Sequence, residues 1–191
     1  MSEPVRIIVP HRGLAAAKTR LAPVLDPGER VALARDLLQR VLRVVREAVD
    51  DVVVITPSEA LATISESVGA ALVVQRGMGL NTGLEQARRA AVEDGIELLG
   101  VLHGDLPNLS ADDVRALLAA TPSPRGVTIA PDRGGSGTNA LALRPKRFMR
   151  RELLANAVRR YAVDADAGCI AATFRILFLT AWSPPQPRVQ Q

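Results

Sequence analysis

Cysteine is almost absent from this 191-residue chain, where Cys169 stands alone. One thiol excludes an intramolecular disulfide framework and a Cys-based zinc cage. Histidine is nearly as scarce: His11 and His103 are too few for a histidine-rich metal site. Lysine is scarce as well. Lys and Arg total 24, yet only Lys18 and Lys146 are lysines. Aromatic residues are missing before position 148; the chain has Phe148, Tyr161, Phe174, Phe178 and Trp182. The long front part therefore offers no aromatic platform on which single-stranded nucleic acid could stack. No apolar run approaches the ~20 residues that span a bilayer. The start, Met1-Ser2-Glu3-Pro4-Val5-Arg6, lacks the cationic and apolar stretches of a secretory signal. The expected location is the cytoplasm.

What is present describes a globular protein. Hydrophobic residues make up 48%, which excludes general disorder. A chain of this length buries about 70% of its unfolded surface and needs no staples. One domain over residues 1–182 is expected, with a disordered Pro- and Gln-rich tail at 183–191. The net charge of +4 is modest, and the arginines are interleaved with 20 acids. That pattern reads as solvated helix faces rather than a nucleic-acid footprint. Neither a nucleic acid nor a membrane is an expected partner.

Short continuous apolar runs predict buried strands at 5–10, 51–56, 71–74, 98–102, 127–130 and 140–143. Between them lie helix signals. Asp26-Pro27-Gly28-Glu29 combines a cap, a proline for the first turn and a capping-box acid. Ser58 starts a short helix, a helix is expected over about 82–94, and Ser110 with Asp112 and Asp113 opens another. Strands alternating with helices predict a mainly parallel sheet covered on both faces. Ligands of such sheets bind beyond the carboxyl ends of the strands. The unusual loops, 11–22, 56–58, 75–83, 103–108 and 131–139, fall at those ends.

Each loop has a chemical and a plain reading. Lys18 and Arg20 form a cation pair that can neutralise a polyphosphate, or they are solvent-facing charges. The retention of a lysine in an arginine-rich chain favours phosphate, which suits a compact point charge. Asp105, in Gly104-Asp105-Leu106-Pro107, can hold Mg²⁺ through hard oxygen ligands, or it only shapes a turn. Asn81, in Gly79-Leu80-Asn81-Thr82-Gly83, can read a base or ribose, or it caps the helix. The stretch Asp132-Arg133-Gly134-Gly135-Ser136-Gly137-Thr138-Asn139 can nest a small anion, or it is a hairpin connection. No Walker-type phosphate loop occurs. Gly135-x-Gly137-x-x-Ala140 matches a dinucleotide fingerprint in letters only, since it opens onto a strand-like segment.

The order Lys18-Thr19-Arg20-Leu21, Gly79-Leu80-Asn81-Thr82-Gly83-Leu84, Gly104-Asp105-Leu106-Pro107 and Gly137-Thr138-Asn139-Ala140-Leu141 resembles the guanylyltransferases of coenzyme F-420 biosynthesis, which act on 2-phospho-L-lactate or phosphoenolpyruvate. The resemblance covers about residues 5–145. It implies an α/β fold, a Rossmann-like nucleotidyltransferase domain of GT-A type in three layers. It implies GTP and a small phosphorylated three-carbon acid as partners, Mg²⁺ as cofactor and pyrophosphate as product. The nucleotide would meet Arg12, Lys18, Gly79, Leu80, Asn81, Gly83 and Asp105. Lys18, Arg20 and Asp105 would carry the chemistry, and Ser136, Gly137, Thr138 and Asn139 would hold the acceptor.

The rear of the chain departs from the family pattern. The Phe- and Gly-rich acceptor segment and the Asp-x-Asp-Thr-Pro element are missing. Asp164-Ala165-Asp166 is a shortened imitation that supplies a second metal ligand or is a plain turn. The apolar run 176–179 is a closing strand or part of a subunit contact, which leaves a homodimer open. Two other functions stay open: a nucleotide-sugar glycosyltransferase, against which the single Asp of 103–108 counts, and a non-catalytic nucleotide binder. The arginine-rich composition suggests a GC-rich genome and the basic balance argues against a salt-loving archaeon; within the family resembled, both point toward a bacterial member that uses phosphoenolpyruvate.

Overall fold

The computed structural model describes residues 3–123, 126–131, 138–145 and 174–176. Seven strands form one sheet: β1 (Val5–Pro10), β2 (Val52–Thr56), β3 (Ala71–Val74), β4 (Leu98–Leu102), β5 (Val127–Pro131), β6 (Thr138–Leu143) and β7 (Phe174–Ile176), in spatial order β3-β2-β1-β4-β6-β5-β7. The helices are α1 (Pro27–Ala48), α2 (Ala62–Ser67), α3 (Leu80–Glu93) and α4 (Ala111–Ala119). The α/β fold expected from the apolar runs is the one observed.

Side-chain alternation along the strands separates the layers. Ile7, Val9, Val52, Val54, Leu98 and Leu102 join the core built on α1 and α4, around Leu38, Val41, Leu42, Val45, Val114 and Leu117. Ile8, Ile55 and Leu99 point the other way, onto Ala87 and Ala91 of α3. Two layers of helix thus enclose the sheet, and β2 is buried at every position. Helix α1 begins with the capping box foreseen at Asp26, whose side chain accepts from the Glu29 N–H while Glu29 accepts from the Asp26 N–H.

Parallel pairing holds for β1 with β2 and β4, β2 with β3, and β5 with β7. Strand β6 runs antiparallel to both β4 and β5. The connection from β5 to β6 spans only residues 132–137, too few for the crossover that a parallel pair requires. Because β6 runs backwards, its first residues lie at the carboxyl end of β4. It begins at Thr138, earlier than the apolar run suggested. Gly135-x-Gly137-x-x-Ala140 therefore leads into a strand, as expected, and not into the helix of a dinucleotide site.

A charged cluster marks the opposite end of the sheet. Arg6 Nε donates to both carboxylate oxygens of Asp51, and its Nη1 donates to Asp94 at 2.6 Å. Burial acts to lower the Arg6 pKa, but the bonds to Asp94 and Asp51 outweigh it and raise the value. This network staples the approach to β2 and the end of α3 to β1. The run 176–179 overlaps a closing strand at Ile176 only, and its remainder lies outside the described residues.

Candidate active site

The spatial order of the strands reverses between β1 and β4. The chain adds β2 and β3 on one side of β1, then crosses to place β4 on the other. A reversal of this kind opens a crevice at the carboxyl ends of the two strands. Here it holds a cleft of ≈ 500 Å³ lined by residues of the 10–21 loop, by Ala34 of α1, and by His103, Gly104 and Asp105.

The loop after β1 is wound tightly by its own backbone. Ala17 N–H donates to the Leu14 carbonyl, Leu21 N–H to that of Lys18, and Leu25 N–H to that of Leu21. Lys18 has φ 55° and ψ 31°, a left-handed conformation. Among the described residues it is the only non-glycine with positive φ. Such a conformation costs on the order of 1 kcal/mol and concentrates where a site dictates geometry. Its effect is visible: Lys18 Nζ donates to Asp105 Oδ2 at 2.8 Å. Arg12 and Arg20 line the same cleft. Neither is in an ion pair among the described residues.

Asp105 is placed by the residue before it. Gly104 is buried, and a Cβ built there would lie 2.9 Å from Leu38 Cδ1 and 3.2 Å from Val9 Cγ1. Both neighbours belong to the packed core, so only glycine lets the chain pass this close. We expect Gly104→Ala to displace Leu38 and cost about 1–3 kcal/mol. It should also shift Asp105 and lower turnover; an unchanged melting temperature would show that the core yields without strain.

The glycine loop lies elsewhere on the same sheet edge. It follows β3, three strand spacings or roughly 14 Å from β4. Gly79, at φ 92°, is the N-cap of α3, and no side chain caps this helix. Asn81 is the second helical residue and is exposed. The capping alternative for Asn81 is therefore wrong: the helix starts at Leu80, two residues before the expected 82, so Asn81 is already inside its first turn. Two glutamines organise the loop. Gln75 Nε2 donates to the Gly77 carbonyl at 2.9 Å, and Gln86 Oε1 accepts the Arg76 N–H at 2.6 Å. Gly83 is buried against Gln75, whose Oε1 would lie 2.6 Å from any added Cβ. Leu80, in contrast, is partly open to solvent at 46% exposure.

The start of β6 completes the row. Thr138 is exposed, and Asn139 is anchored twice: its Nδ2 donates to the Pro131 carbonyl, and its own carbonyl accepts the His103 N–H at 3.1 Å. Ser136, Gly137, Asp164 and Asp166 lie outside the described residues. Along one edge the order is thus Asn81 beyond β3, the Lys18–Asp105 cleft at β1 and β4, and Thr138 at β6.

Among the described residues no three His, Cys, Asp or Glu side chains cluster as a metal cage. Asp105 nevertheless fits a divalent cation of the hard type. Its carboxylate is half-exposed at the cleft, and Mg²⁺ is commonly held by one or two carboxylates with substrate phosphates and water.

Residues outside the recognised motifs also belong to this site. His11, at the start of the 11–22 loop, lines the cleft beside Lys18. Its place directly after a buried strand was the available signal. His103 lines the cleft too, with its backbone tied to β6. Gln75 and Gln86 carried no local signal, because their role depends on the packing of β3 against α3.

A family model described as guanylyl transferase CofC like matches residues 5–155. The chain belongs to this family. The motif resemblance is thereby borne out. This CofC-like chain is 42% identical over 140 residues to the phosphoenolpyruvate guanylyltransferase of Sphaerobacter thermophilus, covering 72% of this chain and 67% of that protein. With the 2-phospho-L-lactate guanylyltransferase of Methanothermobacter thermautotrophicus it shares 36% identity over 139 residues, 72% of this chain and 61% of that one. The fold is shared with a crystal structure from Desulfovibrio desulfuricans G20, provisionally assigned as a nucleotide-diphospho-sugar transferase. That match has a TM-score of 0.70 at 18% identity, over 92% of this chain and 80% of that one. The family match of the CofC-like chain ends close to where its aromatic residues begin. No described helix is long and apolar enough to cross a membrane.

Proposed function

We propose that this protein joins the guanylyl group of GTP to a three-carbon phosphate, phosphoenolpyruvate before 2-phospho-L-lactate or 3-phosphoglycerate, as a step in coenzyme F-420 biosynthesis in the cytoplasm. Family membership supports nucleotidyl transfer to a three-carbon phosphate. The higher identity to a relative named for phosphoenolpyruvate supports the choice of acceptor. The observation that carries the reading is the linear order of the site along one sheet edge. A nucleoside near the Asn81 loop, a triphosphate over Lys18, Arg12 and Arg20, and an acceptor near Thr138 and Asn139 form one row.

The chemistry matches this inventory. An oxygen of the acceptor phosphate attacks the α-phosphorus, a new P–O bond forms, and the bond to the β-phosphate breaks. The acceptor is already an anion, so no general base is needed. Lys18, Arg12 and Arg20 bind the triphosphate and neutralise the pyrophosphate as it leaves. Asp105 would hold a Mg²⁺ ion, which when bound supplies Lewis-acid stabilisation of the phosphoryl charge. Asp164 and Asp166 are proposed as further ligands on the family pattern. Thr138 and Asn139 orient the acceptor with Ser136 and Gly137.

The test is pyrophosphate release from GTP and Mg²⁺ with each of the three acceptors. Phosphoenolpyruvate is expected to give the highest kcat/KM. Release with 2-phospho-L-lactate alone would reassign the acceptor. GTP binding without release in any mixture would make the protein a non-catalytic nucleotide binder.

A further inference from the structure

We infer that His11 donates the Nε2–H of its imidazole to a phosphate oxygen of a bound substrate, a binding residue of the cleft beyond those named by the family motifs. The inference deepens the proposed function and rests on its placement of phosphates between β1 and β4. The anionic oxygen belongs to the triphosphate or to the acceptor phosphate.

Position is the first ground. His11 follows β1 directly, its N–H donates to the Ile55 carbonyl at 2.9 Å, and its side chain lines the cleft with Lys18 and Asp105. The backbone bond pins the residue to the adjoining strand.

The second ground is the tautomer. The Gly13 N–H donates to His11 Nδ1 at 3.0 Å. A ring nitrogen that accepts a hydrogen bond carries no proton, so the proton of the neutral ring is on Nε2. Gly13 is at φ 91°, a conformation open to glycine and strained for other residues. The turn that delivers this N–H is therefore built into the chain.

The third ground is direction. A Cβ on Gly104 would lie 3.5 Å from His11 Cδ2. Cδ2 adjoins Nε2 in the ring, so the edge carrying the proton faces the segment that presents Asp105. No acceptor among the described residues takes this proton. The nitrogen is not among the buried unpartnered atoms, which leaves it open to the cleft. A neutral donor here adds specificity without adding a fourth cation to Lys18, Arg12 and Arg20. Burial agrees with this by lowering the His11 pKa, with Asp105 acting upward and Lys18 downward.

Two substitutions separate the donor from its scaffold. His11→Asn keeps an acceptor for the Gly13 N–H and has no N–H at the position of Nε2. His11→Gln places an amide N–H close to the position of Nε2. Binding of GTP, pyrophosphate and phosphoenolpyruvate is measured by titration calorimetry, with thermal melting as the check on fold. The Asn variant should melt like the parent and bind one of these ligands about tenfold or more weakly, the scale of a hydrogen bond to a charged group. The Gln variant should recover to within about threefold. Weakening confined to GTP and pyrophosphate puts the contact on the triphosphate; weakening confined to phosphoenolpyruvate puts it on the acceptor. Unchanged binding by the Asn variant overturns the inference, as does equal weakness of both variants, because an N–H restored near the Nε2 position would then recover nothing. A parent protein that binds none of the three would instead remove the proposed function itself.

Discussion

Asp105→Asn is expected to abolish pyrophosphate release while the protein stays folded. The two sides of this expectation have separate causes. Asp105 contributes little to stability: its carboxylate is 52% exposed, and its ion pair with Lys18 is of the surface kind, worth about 0–1 kcal/mol. It caps no helix, and the tight packing nearby is made by Gly104. The activity side is much larger. The substitution keeps the shape and removes the one carboxylate that lines the cleft among the described residues. Loss of several kcal/mol of stabilisation for the charge developing at phosphorus corresponds to roughly a thousandfold or more in rate. Melting curves and a pyrophosphate assay read the two effects independently. Turnover at the parental rate would take Asp105 out of the metal site.

Lys18→Ala should produce the second-largest effect. The ammonium reaches Asp105 at 2.8 Å from a left-handed backbone. Alanine at this position bears the same backbone cost, so the stability change stays within about 1 kcal/mol. What disappears is the point charge facing the triphosphate. Removing one preorganised charge-stabilising group costs on the order of 10²–10³ in rate. Arg12 and Arg20 line the same cleft but present planar forks, which do not reproduce a compact ammonium. The loss should appear in kcat as well as in the KM for GTP, because the β- and γ-phosphates gain negative charge as their bond to the α-phosphorus breaks. A change confined to the KM for phosphoenolpyruvate would place Lys18 on the acceptor and not on the triphosphate.

The fold was readable in the chain to an unusual degree, and the reason is local. Parallel strands buried on both faces must be continuously apolar, so β1, β2 and β4 stand out as unbroken runs. Asp26-Pro27-Gly28-Glu29 signals its helix because a capping box is complete within four residues. An apolar run carries no arrow, and the direction of β6 follows from the short stretch 132–137 before it, which leaves no room for a crossover. Asn81 shows the opposite case. Asparagine after a glycine turn is a good cap on propensity, but Gly79 took that place. Helix boundaries depend on where the strand before them ends, and β3 with Gln75 decides that here.

The sequence alone determined which residues can do chemistry and which end of the sheet holds them. Hydrophobic periodicity, caps and loop composition are short-range properties, written within one turn or one strand. It also carried the family, because Lys18-Thr19-Arg20-Leu21, Gly104-Asp105-Leu106-Pro107 and Gly137-Thr138-Asn139 keep their order along the chain. Only the tertiary structure decided which of these residues meet. Lys18 and Asp105 are 87 positions apart and pair because β1 and β4 became neighbours at the point where the strand order reverses. His11 takes its tautomer from Gly13, two residues along the chain, but comes to face the segment of Gly104 and Asp105 only once β1 and β4 pair. Adjacency across strands is a property of topology, and no local pattern of residues encodes it.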